Sequence, residues 1–372
     1  MHYILFDGDR RTSLLPLTYT RPVAAIRTGI LTLKEKWEHH LGNPVGYLTQ
    51  PYLQEKYPVE SGTDNLLIKG SLFADALLAR AVKALNTGEA LYSGDAILAY
   101  RTATVEHEAD FSSFKKVIYE HAVREVRNTR DIFSMNGKAL EEEFELLTRV
   151  LEAGAVVEYS LLNATSGPIS IGREAAVMEG SLIRGGFALG DHGVVKMGAK
   201  IYGPTTAGPY CKIGGEINNS VLFGYSNKGH EGFLGNSVLG EWCNLGADTN
   251  TSNLKNNYAK VRLWNYASER FDQTGLQFCG LIMGDHSKSA INTMFNTGTV
   301  VGVNCNIFSA GFPRNFIPSY SWGGTSGFST YLTKKAFEAA EVAMARRNVP
   351  FTGADKRILQ RVFEESAKYR NS

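Results

Sequence analysis

The stretch that decides the fold runs from residue 171 to residue 218, IGREAAVMEGSLIRGGFALGDHGVVKMGAKIYGPTTAGPYCKIGGEIN. Every sixth residue from its start is apolar: Ile171, Val177, Ile183, Leu189, Val195, Ile201, Ala207 and Ile213. Four residues after each stand Ala175, Ser181, Phe187, Gly193, Ala199, Thr205, Cys211 and Ile217, most of them small. A helix repeats about every 3.6 residues and an alternating strand about every two, so a period of six belongs to neither. It belongs to a chain that runs straight, turns and runs straight again. Three hexads make one triangular coil of a left-handed parallel β-helix, with the apolar residue inside and the small one near a corner.

The period continues beyond this stretch with two slips. Phe233, Leu239, Leu245 and Thr251 resume it out of phase, and Met283, Ser289, Phe295, Val301 and Ile307 form a third block. The three blocks amount to about five coils, with insertions expected near 219–232 and 253–282. Insertions on a regular scaffold are where function is usually placed. Cys211, Cys243 and Cys305 fall in small-residue slots, and no C-x-x-C pair exists, so these cysteines read as buried structural thiols.

Outward from the solenoid, a chain of 372 residues predicts two or three domains. The first 150 residues alternate short apolar runs with helical patterns. Strands are expected at 3–6, 45–48, 65–68, 90–92, 97–100 and within 111–119. Helices are expected at 28–40, with Thr28 as a possible cap, at 73–85 and at 139–152. That alternation predicts an α/β domain with a mostly parallel sheet. The expected boundaries are 1–153 for the α/β domain, 154–325 for the β-helix and 326–372 for a C-terminal helical segment. Helices at 334–347 and 355–369 would cap the solenoid or pack on a neighbouring subunit.

The net charge of +2, with no basic stripe, argues against a nucleic-acid partner. Acidic residues directly follow the N-terminal apolar run, unlike a signal peptide, and no run of about 18 apolar residues suggests a membrane span. A soluble, cytoplasmic protein is expected.

The first slip reads Gly224-Tyr225-Ser226-Asn227-Lys228-Gly229-His230-Glu231-Gly232-Phe233-Leu234-Gly235-Asn236. A histidine beside a lysine in a glycine-rich loop is a candidate general base; the alternative is a plain surface histidine. Together with His192 and His286 it would make three histidines. The γ-carbonic anhydrase type of β-helix binds metal through three histidines but sets two of them five apart, a spacing absent from this sequence.

His230…Phe233-Leu234-Gly235-Asn236, then Cys243-Asn244-Leu245-Gly246-Ala247, then Thr251-Ser252-Asn253, resembles the acetyltransferase half of the bifunctional GlmU family. The whole chain is most similar to the shorter GlmU-type sugar nucleotidyltransferases, which share Leu15–Pro22 and Gly284–Lys288 motifs. The resemblance implies that His230 deprotonates the attacking amine and that Glu216 orients this base. It implies that Asn244 and Asn253 lie near the sugar phosphate and the acetyl-CoA. The family tyrosines correspond to Phe233 and Leu254, and a family lysine to Asn218. Lys228 is the candidate for the phosphate contact that Asn218 no longer supplies.

Near the N-terminus, Phe6-Asp7-Gly8-Asp9-Arg10-Arg11, Leu15-Pro16-Leu17-Thr18 and Arg21-Pro22 are similar to the phosphate loop of sugar nucleotidyltransferases. The resemblance implies that Gly8, Arg11 and Arg21 hold the nucleotide phosphates and that Asp95 binds Mg²⁺. The alternative for both is a turn at a strand end. The implied function is a sugar-1-phosphate nucleotidyltransferase coupled to a glucosamine-1-phosphate N-acetyltransferase. It would use UTP, Mg²⁺ and acetyl-CoA, make UDP-N-acetylglucosamine or a related nucleotide sugar, and assemble as a homotrimer. A nucleotidyltransferase whose β-helix only oligomerises or senses a ligand, and a non-catalytic trimeric scaffold or sensor, remain open.

Overall fold

A computed structural model describes residues 1–107, 109–147, 152–308 and 310–370. The chain divides into two compact units. One holds residues 1–14, 20–26 and 31–128, and the other holds 15–19, 27–30 and 129–372. The C-terminal helices fall within the second unit.

In the first unit, β1 (His2–Phe6) pairs in parallel with β2 (Val45–Leu48) and β3 (Asn65–Lys69). The apolar run Tyr3-Ile4-Leu5 is buried on both sides, as a central parallel strand should be. The second half of the sheet is mixed. β4 (Glu89–Ser93) and β5 (Ala96–Thr102) form an antiparallel hairpin, β5 runs against β3, and β6 (Lys115–Ile118) is parallel to β4. Three of the five pairings are parallel, as expected, and the two antiparallel ones come from β5, which follows the Gly94-Asp95 turn, where two residues suffice only for a hairpin.

Helix α1 (Leu33–Leu41) starts later than 28, because Thr32, not Thr28, closes a capping box with Glu35. Thr28 is buried, its hydroxyl donating to the Ile132 carbonyl. Helix α2 (Ala76–Lys83) is capped by the Asp75 carboxylate, which accepts from the Leu77 and Leu78 N–H groups. Helix α3 (Asn136–Leu147) occupies the start of the expected 139–152 helix, while 148–151 lie outside the described residues.

The second unit is the expected left-handed parallel β-helix. All eight apolar residues at the six-residue period, Ile171 to Ile213, are buried. One face stacks strands from Val156–Val157 to Ser321–Gly324, a second from Leu161–Asn163 to Phe233–Gly235, and a third from Ile169–Ile171 to Phe316–Ile317. The third face has eight strands, so the solenoid is longer than the five coils expected. One corner column, Glu174, His192, Tyr210, Tyr225, Trp242, His286, Asn304 and Tyr320, is left-handed throughout, with φ between +52 and +61°. Four of its rings, His192 through Trp242, stack with centroids 4.2 to 4.9 Å apart.

The first slip is not an insertion. Ala207 pairs with Leu222 and Ile213 with Lys228, so the coil advances by fifteen residues where its predecessors take eighteen. Ile201 pairs with Ile217, sixteen residues on, so two residues are lost between Ile213 and Ile217 and a third between Ile217 and Leu222, and the three faces are kept. The new phase places Leu234, not Phe233, in the core, and Phe233 turns outward. The second slip is a real insertion: Leu239 pairs with Met283 across an excursion that carries the hairpin Arg262–Asn265 and Arg270–Gln273.

At the far end, Ser321–Gly324 pairs antiparallel with Gly327–Thr330, which closes the open sheet edge. Helices α4 (Thr333–Ala345) and α5 (Gly353–Glu365) follow. The buried Tyr320 hydroxyl donates to the Leu359 carbonyl of α5 and accepts from Asn304. All four cysteines are free and buried. Burial pushes the Cys211 thiol up to about 12 and the Cys305 thiol up to about 11, so neither is a ready nucleophile.

Candidate functional site

The shortened coil builds the site. Strand Asn227–Lys228 ends on the first face, and Gly229-His230-Glu231-Gly232 turns the chain into Phe233–Gly235 on the second. The turn presses on the coil before it. A Cβ at Gly215, where φ is +70°, would lie 2.6 Å from the His230 carbonyl oxygen, so only glycine fits.

Lys228 takes the interior position that Ile213 fills one coil earlier and Leu245 one coil later. It is 1% exposed. Its ammonium donates to the carbonyls of Gly214 (3.2 Å), His230 (2.5 Å) and Glu231 (3.2 Å). Burial lowers its pKa to about 8, against the pull of Glu231 and Asp248. The phosphate contact expected of Lys228 therefore does not fit its position: the ammonium is turned inward and spent on the turn that carries His230.

His230 itself is exposed, and its imidazole makes no hydrogen bond or ion pair among the described residues. Glu216 does not orient it. The Glu216 carboxylate instead accepts from the Tyr202 hydroxyl at 2.5 Å, on the second face. Burial, with this carboxylate as the next cause, pushes the Tyr202 phenol up to about 12. Asn253 donates to the Asn236 side chain at 2.7 Å on the other side of the second face. Of the residues singled out by sequence, His230 and Asn244 come together. They line one groove of about 1080 Å³ between the first face and helix α4.

The floor of that groove is a polar row, one residue per coil. Register sets Lys212 beside Asn227, Asn227 beside Asn244, and Asn244 beside Lys288. Asn227 donates to the Asn244 side-chain oxygen at 3.3 Å and accepts from Arg347 at 3.1 Å. The sequence motifs point to Asn244 but not to Lys212 or Asn227. Their signal was the outward position beside each core residue of the hexad, Lys212 before Ile213 and Asn227 before Lys228. A second cleft of about 990 Å³ lies beside Ser252 and Leu254, the neighbours of Asn253. It holds Lys255, Arg262 and Arg314, with no acidic residue in its lining.

His192 and His286 belong to the corner column. His192 pairs with Glu174 at 3.0 Å, and His286 stacks on Trp242. Among the described residues no three or more His, Cys, Asp or Glu side chains converge on a metal position.

In the first unit, Gly8 follows β1 with φ of +60°. Behind it lies a charge network that the motifs did not reveal. Glu125, 6% exposed, accepts from Arg10 (3.0 Å), Lys69 (2.9 Å), Ser71 (2.9 Å) and Arg127 (3.1 Å). Burial alone would raise the Glu125 pKa, but Arg10 and Lys69 outweigh it and hold the carboxyl at about 2. Lys69 also reaches Asp9 at 2.7 Å. The Asp7 carboxylate accepts from the Val23 N–H at 2.7 Å and the Thr49 hydroxyl at 2.5 Å, which ties the loop to β2. Beside it a pocket of about 310 Å³ is lined by Asp7, Gly8, Thr49, Gln50, Tyr100 and His107.

Arg11 donates to the Tyr52 hydroxyl at 2.6 Å. Arg21 is 2% exposed. Asp95 sits in the β4–β5 hairpin turn, wholly exposed, with Lys116 at 4.0 Å. A single exposed carboxylate beside a lysine does not make a protein-built Mg²⁺ site.

Residues 3–151 match the sugar nucleotidyl transferase family. The chain is 34% identical over 90 residues to the bifunctional protein GlmU of Methanocaldococcus jannaschii, and 32% identical over 89 residues to that of Methanococcus aeolicus. Each match covers 24% of this chain and 21% of the relative, so the chain spans about a fifth of the length of these curated relatives. Among solved structures, the polysialic-acid-specific acetyltransferase NeuO covers 53% of this chain and 99% of its own, at 12% identity and a TM-score of 0.29. An Arabidopsis UDP-N-acetylglucosamine acyltransferase covers 53% of this chain and 69% of its own, at 15% identity and a TM-score of 0.19. No helix is long and apolar enough to cross a membrane among the described residues.

Proposed function

We propose that the chain is a bifunctional transferase that acetylates a hexosamine 1-phosphate and couples the product to a nucleotide, forming UDP-N-acetylglucosamine or a related nucleotide sugar. The observation that carries this reading is His230, held on a tethered turn and opening with Asn244 onto a large groove. The exposed imidazole is suited to take a proton from the acceptor amine. The amine nitrogen then bonds to the thioester carbonyl carbon, the carbon–sulfur bond breaks, and the coenzyme thiolate leaves with a proton from solvent. No covalent enzyme intermediate is needed, which agrees with four buried, high-pKa cysteines.

Asn244 would hold the acceptor's hydroxyls beside His230. Asn253 and the basic cleft next to it are suited to acetyl-CoA, whose phosphates carry several negative charges. Glu216, bound to Tyr202, would shape the second face rather than orient the base. Lys228 acts as a positioning residue.

In the first unit, Gly8 and Arg11, with Arg21 behind them, would set the loop that faces the UTP phosphates, while Lys69 supports Gly8 from below. A sugar-phosphate oxygen attacks the α-phosphorus and pyrophosphate leaves. Mg²⁺ would arrive with the triphosphate, since Asp95 offers a lone carboxylate. The same reading takes the enzyme as a cytoplasmic homotrimer.

The missing Glu216–His230 contact favours one second reading, a nucleotidyltransferase whose β-helix only oligomerises or senses a ligand. Glucosamine 1-phosphate, acetyl-CoA, UTP and Mg²⁺ supplied together separate the two. Thiol and pyrophosphate release supports the bifunctional enzyme, and pyrophosphate release alone supports the second reading.

A further inference from the structure

The groove beside His230 holds more positive charge than the protein itself can use. Lys196 and Lys212 come from the first face, and Arg346 and Arg347 from the end of α4. The one acidic side chain in the lining, Glu338, is paired with Lys335 at 3.0 Å. The side chains of Lys196, Lys212 and Arg346 make no hydrogen bond or ion pair among the described residues, and that of Arg347 makes only its bond to the neutral Asn227 side chain. The charge of Arg347 is the largest cause of a lowered Lys212 pKa, followed by burial, with Lys196 and Arg346 adding to it. Four cations held together without a counter-charge form a seat for a multiply charged anion. Along the same groove α4 turns Ala339, Val342 and Ala343 inward, and the exposed Ile291 also lines it. That half suits the organic part of the same ligand.

We propose that helix α4 is part of the acceptor site, and that Lys196, Lys212, Arg346 and Arg347 clamp the phosphate of a phosphorylated sugar lying along the Asn227–Asn244 row with its far end toward His230. A phosphate monoester carries close to two negative charges at neutral pH, and the forked guanidinium groups match its oxygens. A nucleotide diphosphate sugar presents the same chemistry. Arg347 has a second duty: it anchors the Asn227 oxygen, whose amide holds the Asn244 oxygen and leaves the Asn244 amide nitrogen to donate to ligand. The clamp rests on the acyl-transfer reading only for what His230 does, not for the binding of phosphate.

The test uses the full chain, with Trp242, which lines the groove, as a fluorescence reporter alongside calorimetry. The probes are inorganic phosphate, glucosamine 1-phosphate, glucosamine and UDP-N-acetylglucosamine. The expected result is saturable binding of glucosamine 1-phosphate that weakens as salt rises, with glucosamine at least tenfold weaker. Lys212→Gln with Arg346→Gln should weaken phosphate-dependent binding at least tenfold and leave the melting temperature unchanged. His230→Ala should bind as the parent does. Tighter binding of UDP-N-acetylglucosamine through the same two residues would identify the diphosphate as the source and keep the clamp. Unchanged affinity in the double variant overturns the clamp, even if acetyl transfer is observed. Clamp-dependent binding without any acetyl transfer overturns the acyl-transfer reading and leaves the clamp standing.

Discussion

Replacing Lys228 by methionine separates the stability of the solenoid from the order of the His230 turn. The side chain fills an interior slot between Ile213 and Leu245, and methionine matches its length. Keeping the ammonium charged there costs about 3 kcal/mol, from a pKa of about 8 against an ordinary 10.5 at about 1.4 kcal/mol per unit. Three bonds to carbonyls return about 1.5–3 kcal/mol each when the donor is charged. Substitution removes both terms, and buried charges exchanged for apolar side chains often leave stability within a few kcal/mol. Lys228→Met should therefore change global stability by less than about 2 kcal/mol at pH 7.

The turn fares worse, because the carbonyls of His230 and Glu231 lose their anchor. Amide exchange at 229–232 should speed up, and acetyl transfer should fall about tenfold or more through kcat. The pH dependence has a definite sign. The folded pKa lies below the unfolded one, so the unfolded chain binds the extra proton between about pH 8 and 10.5. The penalty is full below pH 8 and relieved as pH rises to 10.5. Over that window the parent should gain up to about 3 kcal/mol relative to the methionine variant, followed by denaturant unfolding. A variant with unchanged exchange at 229–232 and unchanged kcat refutes the tether.

Glu125 titrates the other way. Its pKa is held near 2, so its contribution is present above about pH 4.5 and lost as pH falls toward 2. Glu125→Gln should cost about 2–3 kcal/mol at neutral pH, flatten the acid limb of the unfolding profile, and impair pyrophosphate release from UTP more than acetyl transfer. In the second unit, the buried Asn136 accepts from the Gly29 N–H (2.6 Å) and the Thr206 hydroxyl (3.0 Å) and donates to the Pro204 carbonyl. Asn136→Ala leaves the Gly29 N–H and the Pro204 carbonyl unsatisfied, while the Thr206 hydroxyl keeps its bond to the Gly29 carbonyl, and should cost about 2–4 kcal/mol in chemical denaturation, with binding of glucosamine 1-phosphate retained.

The solenoid was readable because each face of each coil places a core residue at a six-residue spacing, so Ile171 through Ile213 repeat without exception. The same logic hid Lys228, since a lysine reads as a surface residue and only the fifteen-residue coil carries it inside. A shortened coil and an insertion shift the phase alike, so the slip at 219–232 could not reveal its own sign. The Gly94-Asp95 hairpin left a two-residue turn signal that the parallel pattern obscured. Of the proposed site, His230 and Asn244 follow from motif spacing. The Tyr202–Glu216 bond does not, because it joins neighbouring coils. Nor do Arg346 and Arg347, which reach the groove only because α4 folds along the first face.

The most direct test of the account is release of free thiol from acetyl-CoA in the presence of glucosamine 1-phosphate, measured for the parent chain and for His230→Ala. The account predicts thiol release that requires the sugar phosphate and falls by about 10²–10⁴-fold in the variant, with glucosamine 1-phosphate still bound. Full thiol release by His230→Ala, or none by the parent, would contradict it.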